Sequence, residues 1–274
     1  MDQEREQHRR TYQLCRLGFG LLSFSLIVAS TTMILGLIWG FLFRPPWLLW
    51  ILRSPLWYWS DIPVVWGSLI GTYLLWGRWS DAGWQRRSGL LVLMCVFDAF
   101  FWIVEHGGEL GLRQKEIEHA WMLVSIGQAL GWAQFALIAS LACDLMAHLG
   151  VAQAPEAGKS TRSLAATGAA IWFFYFLERT KWTDWPLHPQ PVNSPLLFLG
   201  FTMIHAIALI QVTALAVAAT GQASRVVAEL DQEARENDQF RPPSDSDFDL
   251  LAVQHPIKTR SEGWSSSQES EERY

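Results

Sequence analysis

Apolar residues in this chain gather into long runs instead of recurring at amphipathic spacing. The runs cover 17–43, 64–79, 89–106, 119–143, 163–177 and 196–220, with charged, Trp-rich or Pro-containing stretches between them. Such runs point to lipid as the surrounding solvent. Each is read as a helix, because the bilayer core offers no water to unpaired backbone groups. The alternating ten-residue segments of a membrane barrel do not occur in the sequence. The predicted fold is all-α: a polytopic transmembrane helix bundle of about six spans with a disordered C-terminal tail. A helical crossing needs roughly 20 residues. Runs 64–79 and 163–177 fall short of that, so the sequence accommodates five to seven crossings.

The segments between the runs refine this picture. Residues 1–16 are polar and form a cytoplasmic N-terminal segment. The first run is too long for the apolar part of a cleavable signal and reads as an uncleaved anchor. Pro45, Pro46, Pro55 and Pro63 break any continuous helix after it, which suits an interfacial or re-entrant piece. Residues 221–274 are read as a soluble, largely disordered cytoplasmic tail. Ser224 to Asp238 can extend the last span as a helix. Beyond Phe240 the Ser, Asp, Glu and Pro content is too polar to build a core. Asp245 to Val253 sets apolar residues among acids and could serve as a docking motif for a soluble partner.

Only 17% of residues are charged, against about a quarter in soluble domains, and the charges crowd into the termini and links. Lys and Arg are more frequent in the segments holding Arg5, Arg9, Arg10, Arg16, Arg78, Arg86, Arg87, Lys159, Arg162, Arg225 and Arg235 than in the alternate ones holding Arg44, Arg53, Arg113, Lys115, Arg179 and Lys181. The positive-inside rule then places both termini in the cytoplasm, here of a prokaryotic plasma membrane. Many Trp residues, among them Trp47, Trp57, Trp76, Trp79, Trp84 and Trp182, stand where apolar runs end, as an interfacial belt does. No basic, aromatic-interleaved patch speaks for nucleic acid. Cys15, Cys95 and Cys143 are far apart in sequence and read as reduced thiols.

Helix packing is legible as well. Gly36/Gly40, Gly67/Gly71 and Gly127/Gly131 each form GxxxG inside a run, and that spacing lets two helix backbones approach closely in lipid. It serves packing within the chain or a homo-oligomer equally well.

Ionisable residues inside a membrane are costly, and each asks for a reason. Asp98 follows Gly89 by nine residues and His205 follows Leu196 by nine, so each stands about 13 Å into its run. If the two helices touch, Asp98 and His205 can pair as a proton relay, or act as a plain polar clasp of the kind Gln128, Gln134 and Gln211 also offer. A second cluster, Glu105, His106, Glu116 and His119, stands at the outer face. Carboxylate with imidazole is a transition-metal ligand set, although one Glu-x-x-His pair at a helix entrance is only part of a di-iron pattern. Solvated link charges are the plain alternative. Asp144 and His148 share a helix face and read as an exposed helix-terminal pair. No nucleophile elbow, zinc-protease motif, P-loop or dinucleotide fingerprint occurs.

Packing motifs therefore outnumber catalytic ones. The leading expectation is a non-enzymatic membrane scaffold, accessory subunit or sensor, with the lipid bilayer as its surroundings, a soluble partner for its tail and no cofactor. The second is a small proton-coupled transporter using Asp98 and His205. The third is a membrane oxidoreductase holding haem or a transition metal at the outer His/Glu cluster.

Overall fold

A computed structural model describes residues 2–38, 59–79, 81–105, 120–179 and 195–239. Among these residues the chain is helical, with no strand. The helices are α1 (Asp2–Leu37), α2 (Asp61–Leu75), α3 (Ala82–Glu105), α4 (Ala120–His148), α5 (Ala154–Arg179) and α6 (Pro195–Gln239). Every apolar run read from the sequence lies largely in one of them. Three stretches, Gln3–Leu37, Ile126–His148 and Gly200–Glu236, are long and apolar enough to cross a membrane, and Asp61–Leu75 is a shorter apolar helix. Among the described residues the fold is thus all-helical with three such helices.

Local chemistry sets the helix ends. α2 stops before Gly77, whose φ of 67° is a left-handed value that glycine adopts without strain. Asp81 starts α3 by accepting the Trp84 backbone N–H at 2.7 Å, the bond of an N-terminal cap. At the end of α4, Gly150 has φ 79°. Its N–H reaches Ala147 O and the Val151 N–H reaches Met146 O, each at 3.0 Å. Those two bonds are the Schellman pattern and satisfy the last carbonyls of α4. Polar positions inside the apolar helices satisfy themselves. The hydroxyls of Ser23, Ser30, Thr31, Ser140 and Thr213 each donate to the carbonyl four residues back, at 2.7–2.8 Å.

Pairs of contacts show how neighbouring helices run. Ser25 of α1 donates to Pro63 O at 2.9 Å, and a side chain on Gly71 would stand 2.8 Å from Gly18 O. A higher number on one helix meets a lower number on the other, so α1 and α2 are antiparallel. Trp84 against Leu75, with Trp102 against Trp66, gives the same relation for α2 and α3. So do Arg87–Asp144 and Asp98–Gln134 for α3 and α4. Cys143–Gly158 and Trp132–Gly168 repeat it for α4 and α5, and Thr161–Gln211 with Trp172–Phe201 for α5 and α6. Ser23–Thr220 and Ser30–Thr213 make α6 antiparallel to α1. The helices alternate in direction along the chain, and α6 returns to the first of them.

The core lies around α4. Leu141, Ala142 and Leu145 of α4 are buried together with Phe19 and Leu22 of α1, Leu75 of α2, Leu91 of α3, Ala165 of α5 and Val212 and Ala216 of α6. Of the three long apolar helices, α4 has the largest share of its span inside the fold, 56% against 22% for α1 and 33% for α6. The outward surface is apolar too. Leu17, Phe24, Ile27 and Ile34 line one side of α1, and Leu90, Leu93, Phe97 and Phe100 one side of α3. Met203, Ile207, Ile210 and Val217 do so on α6. The spacings of three, four and seven make each set a stripe on one helix face.

The chain divides into two compact units, Met1–Leu230 and Asp231–Tyr274. In the second, the described residues are the last turns of α6, where Gln232 donates to Glu236 at 2.9 Å. Residues 221–239, counted with the tail on composition, are thus helical. The tail beyond Gln239 and the Pro- and Trp-containing stretch 39–58 lie outside the described residues.

Candidate functional site

Asp98 stands on α3 between Phe97 and Ala99, half-buried where α3 lies against α4. Its carboxylate oxygen Oδ2 accepts a hydrogen bond from Nε2 of Gln134, a buried residue of α4. His205 stands on α6, half-buried, with its ring 4.8 Å from the Trp132 ring and 5.6 Å from Phe135. No hydrogen bond or ion pair joins Asp98 to His205 among the described residues. The two face different flanks of α4. At 3.6 residues per turn, Gln134 points about 200° away from Trp132 around the helix. The carboxylate expected beside an imidazole is held by an amide, and the imidazole rests among aromatic rings.

Those rings pack closely where α4, α5 and α6 meet. Trp132 is fully buried, and a side chain placed on Gly168 of α5 would fall inside its indole. Phe201 bridges Trp132 at 5.7 Å and Trp172 at 5.6 Å. The indole N–H of Trp132 is buried and has no partner among the described residues, an uncommon state for a buried donor.

At the end of the bundle where α1 and α3 begin and α2 and α4 end, a second group assembles. The ring of Trp79 packs 4.4 Å from Trp84, 5.3 Å from His148 and 6.2 Å from Tyr12. Trp84 was expected in the interfacial belt. Instead it is 2% exposed, and its Nε1 donates to Leu75 O at 3.0 Å. The Trp84 indole of α3 thus lies against the end of α2. Asp144 and His148, expected as an exposed pair, each look to another element. Asp144 lies 2.7 Å from Arg87 of α3, both partly exposed, and His148 lies against Trp79. The Arg87–Asp144 contact is close but off the hydrogen-bond line, so its attraction is chiefly coulombic.

The predicted packing glycines divide. Gly67 lies against the Ser25 hydroxyl, and Gly71 against the backbone of Gly18 and the side chain of Leu22. Gly36, Gly127 and Gly131 meet nothing within 4 Å among the described residues. Gly40 lies outside the described residues. Gly18, Gly158 and Gly168 are tight contacts that the GxxxG reading passed over, since each stands alone against a partner on another helix.

Of the outer His/Glu cluster, His106, Glu116 and His119 lie outside the described residues, and of Glu105 only its place at the end of α3 is described. Among the described residues no three His, Cys, Asp or Glu side chains come together as metal ligands would. Cys15, Cys95 and Cys143 are buried and unbonded to one another.

Comparison with known protein families, characterised proteins and solved structures finds no match.

Proposed function

We propose that this chain is a multi-pass integral membrane protein whose six helices cross the bilayer, with both termini on the cytoplasmic side, and that its role is non-enzymatic: a scaffold, accessory subunit or sensor. The observation that carries the reading is the inverted distribution of polarity. Large apolar side chains face outward in stripes on α1, α3 and α6, while Ser25, Thr72, Ser88, Gln134 and Thr161 are buried. Water would penalise that outward surface, whereas lipid accepts it. The alternation of helix directions supports an even number of crossings. The buried polar groups support a structural role, because they clasp helix to helix: Ser25 to Pro63 O, Thr161 to Gln211 and Gln134 to Asp98. Extraction and accessibility together test the reading. The protein should stay in carbonate-washed membranes, and single-cysteine probes at Gln3 and Gln239 should react only from the cytoplasmic side. Release by carbonate, or labelling of the two positions from opposite sides, would end it.

A second reading is favoured by Asp98, a half-buried carboxylate in mid-helix beside lipid-facing Phe97 and Phe100. In that reading Asp98, with Gln134 rather than His205 as its partner, exchanges protons during transport. Proton flux into proteoliposomes that disappears in Asp98→Asn would favour it, and an equal flux in both proteins would remove it.

A further inference from the structure

A cleft of about 630 Å³ opens at the terminal end of the bundle, between the first turns of α1 and the turn that follows α2. Gln3, Glu6, Gln7, Arg10 and Leu14 line it from one face of α1, at helical spacing, and Gly77 and Arg78 close it from the other side. Its height in the fold is set by its neighbours. Leu14 lies one turn from Leu17, where the exposed apolar stripe of α1 begins, and Gly77 directly follows the exposed Trp76. Indole collects at the headgroup layer, so the cleft stands where apolar surface gives way to polar surface.

Both arginines are held by their inner nitrogen. Arg10 Nε donates to Glu6 Oε1 at 3.0 Å, and Arg78 Nε donates to Leu74 O at 2.8 Å. Those bonds orient two planar guanidinium groups, that of Arg10 on a side chain 72% exposed, and their terminal nitrogens have no hydrogen-bond partner among the described residues. Such a fork matches the paired oxygens of a phosphate. Glu6 is the one acid among the lining residues and already faces Arg10 and Arg9, so the cleft keeps a positive balance. Gln3, Gln7 and Thr11 add neutral groups able to bond glycerol or headgroup hydroxyls.

We propose that this cleft is a binding site for the phosphodiester headgroup of an anionic glycerophospholipid, seated between Arg10 and Arg78. The proposal rests on the membrane reading above and deepens it. The acyl chains would lie along the apolar stripe of α1 and the exposed Tyr73 and Trp76 of α2.

The test uses the full chain in nanodiscs of zwitterionic lipid containing a minor fraction of phosphatidylglycerol, with bound lipid counted by native mass spectrometry. Enrichment of phosphatidylglycerol on the wild-type protein is expected. It should fall about tenfold in Arg10→Gln and in Arg78→Gln, as loss of a charge-assisted bond implies. It should be kept in Arg86→Gln, an exposed cation outside the cleft, and partly kept in Arg78→Lys, which retains charge and loses the fork. An equal fall in Arg86→Gln would overturn the site in favour of general surface charge, and so would the absence of enrichment. Displacement of the lipid by millimolar inorganic phosphate would assign the cleft to a soluble anion and overturn the lipid. Matching melting curves for all variants keep unfolding out of the comparison. Carbonate extraction, scored separately, shows whether a failure belongs to the cleft or to the membrane reading itself.

Discussion

Gln134 of α4 donates its side-chain amide to the carboxylate of Asp98 on α3, while His205 packs on the opposite flank of α4 against Trp132. The pairing makes a specific energetic prediction. Gln134→Leu strands the carboxyl group without its donor and should destabilise the bundle by about 1–2 kcal/mol. A double-mutant cycle between Asp98→Asn and Gln134→Leu, read by thermal melting in detergent, should show coupling. A cycle between Asp98→Asn and His205→Ala should be additive, because no contact joins the two. Coupling in the second cycle alone would contradict the arrangement.

Glycines of one motif type should respond in opposite directions. Gly71→Ala sets a methyl 2.8 Å from the Gly18 carbonyl, a backbone atom that cannot turn aside, so the helices must part. A loss of about 1–3 kcal/mol is expected. Gly127→Ala and Gly131→Ala meet nothing within 4 Å and should gain up to about 1 kcal/mol each from helix propensity. Melting temperatures of the three single variants decide the matter. A loss at Gly127 or Gly131 would show that a group outside the described residues, of this chain or of a partner, covers that face.

The Trp132–Gly168 contact should be the most sensitive point of the aromatic layer. Gly168→Ala drives a methyl into a fully buried indole and should cost at least about 1–3 kcal/mol. Trp132→Ala should cost roughly 3–5 kcal/mol through the cavity it leaves. Combining them should cost less than the sum, since the smaller ring space admits the methyl. Indole fluorescence during unfolding follows the wild type and Gly168→Ala directly.

Arg87 and Asp144 make the opposite kind of prediction. The pair is close but partly exposed and poorly aligned, so Arg87→Gln should lower stability by no more than about 1 kcal/mol. The difference should shrink as salt rises. A salt-independent loss of several kcal/mol would mean that the bridge is shielded from water.

The sequence by itself determined the helices and their long apolar character. Apolar runs longer than a soluble domain needs, interrupted by Pro, Gly and charge, fall in α1 to α6 because helix formation depends on neighbours three and four residues away. Even the helical extension after Gly221 was readable, from Val226, Val227 and Leu230 among charges. Partnership across helices was not readable, because it depends on the rotation of each helix about its axis. Asp98 and His205 stand at matching depths, so depth proposed them as partners, yet the rotation of α4 turns Gln134 to one and Trp132 to the other. GxxxG spacing is identical at Gly67/Gly71 and Gly127/Gly131, and only the place of α1 decides that the first pair is packed and the second open. Trp84 looked like an anchor because it stands near the ends of apolar runs, yet it is buried with its indole N–H bonded to Leu75 O of α2. Local composition chooses the element and its solvent; the packed bundle chooses which side chains meet.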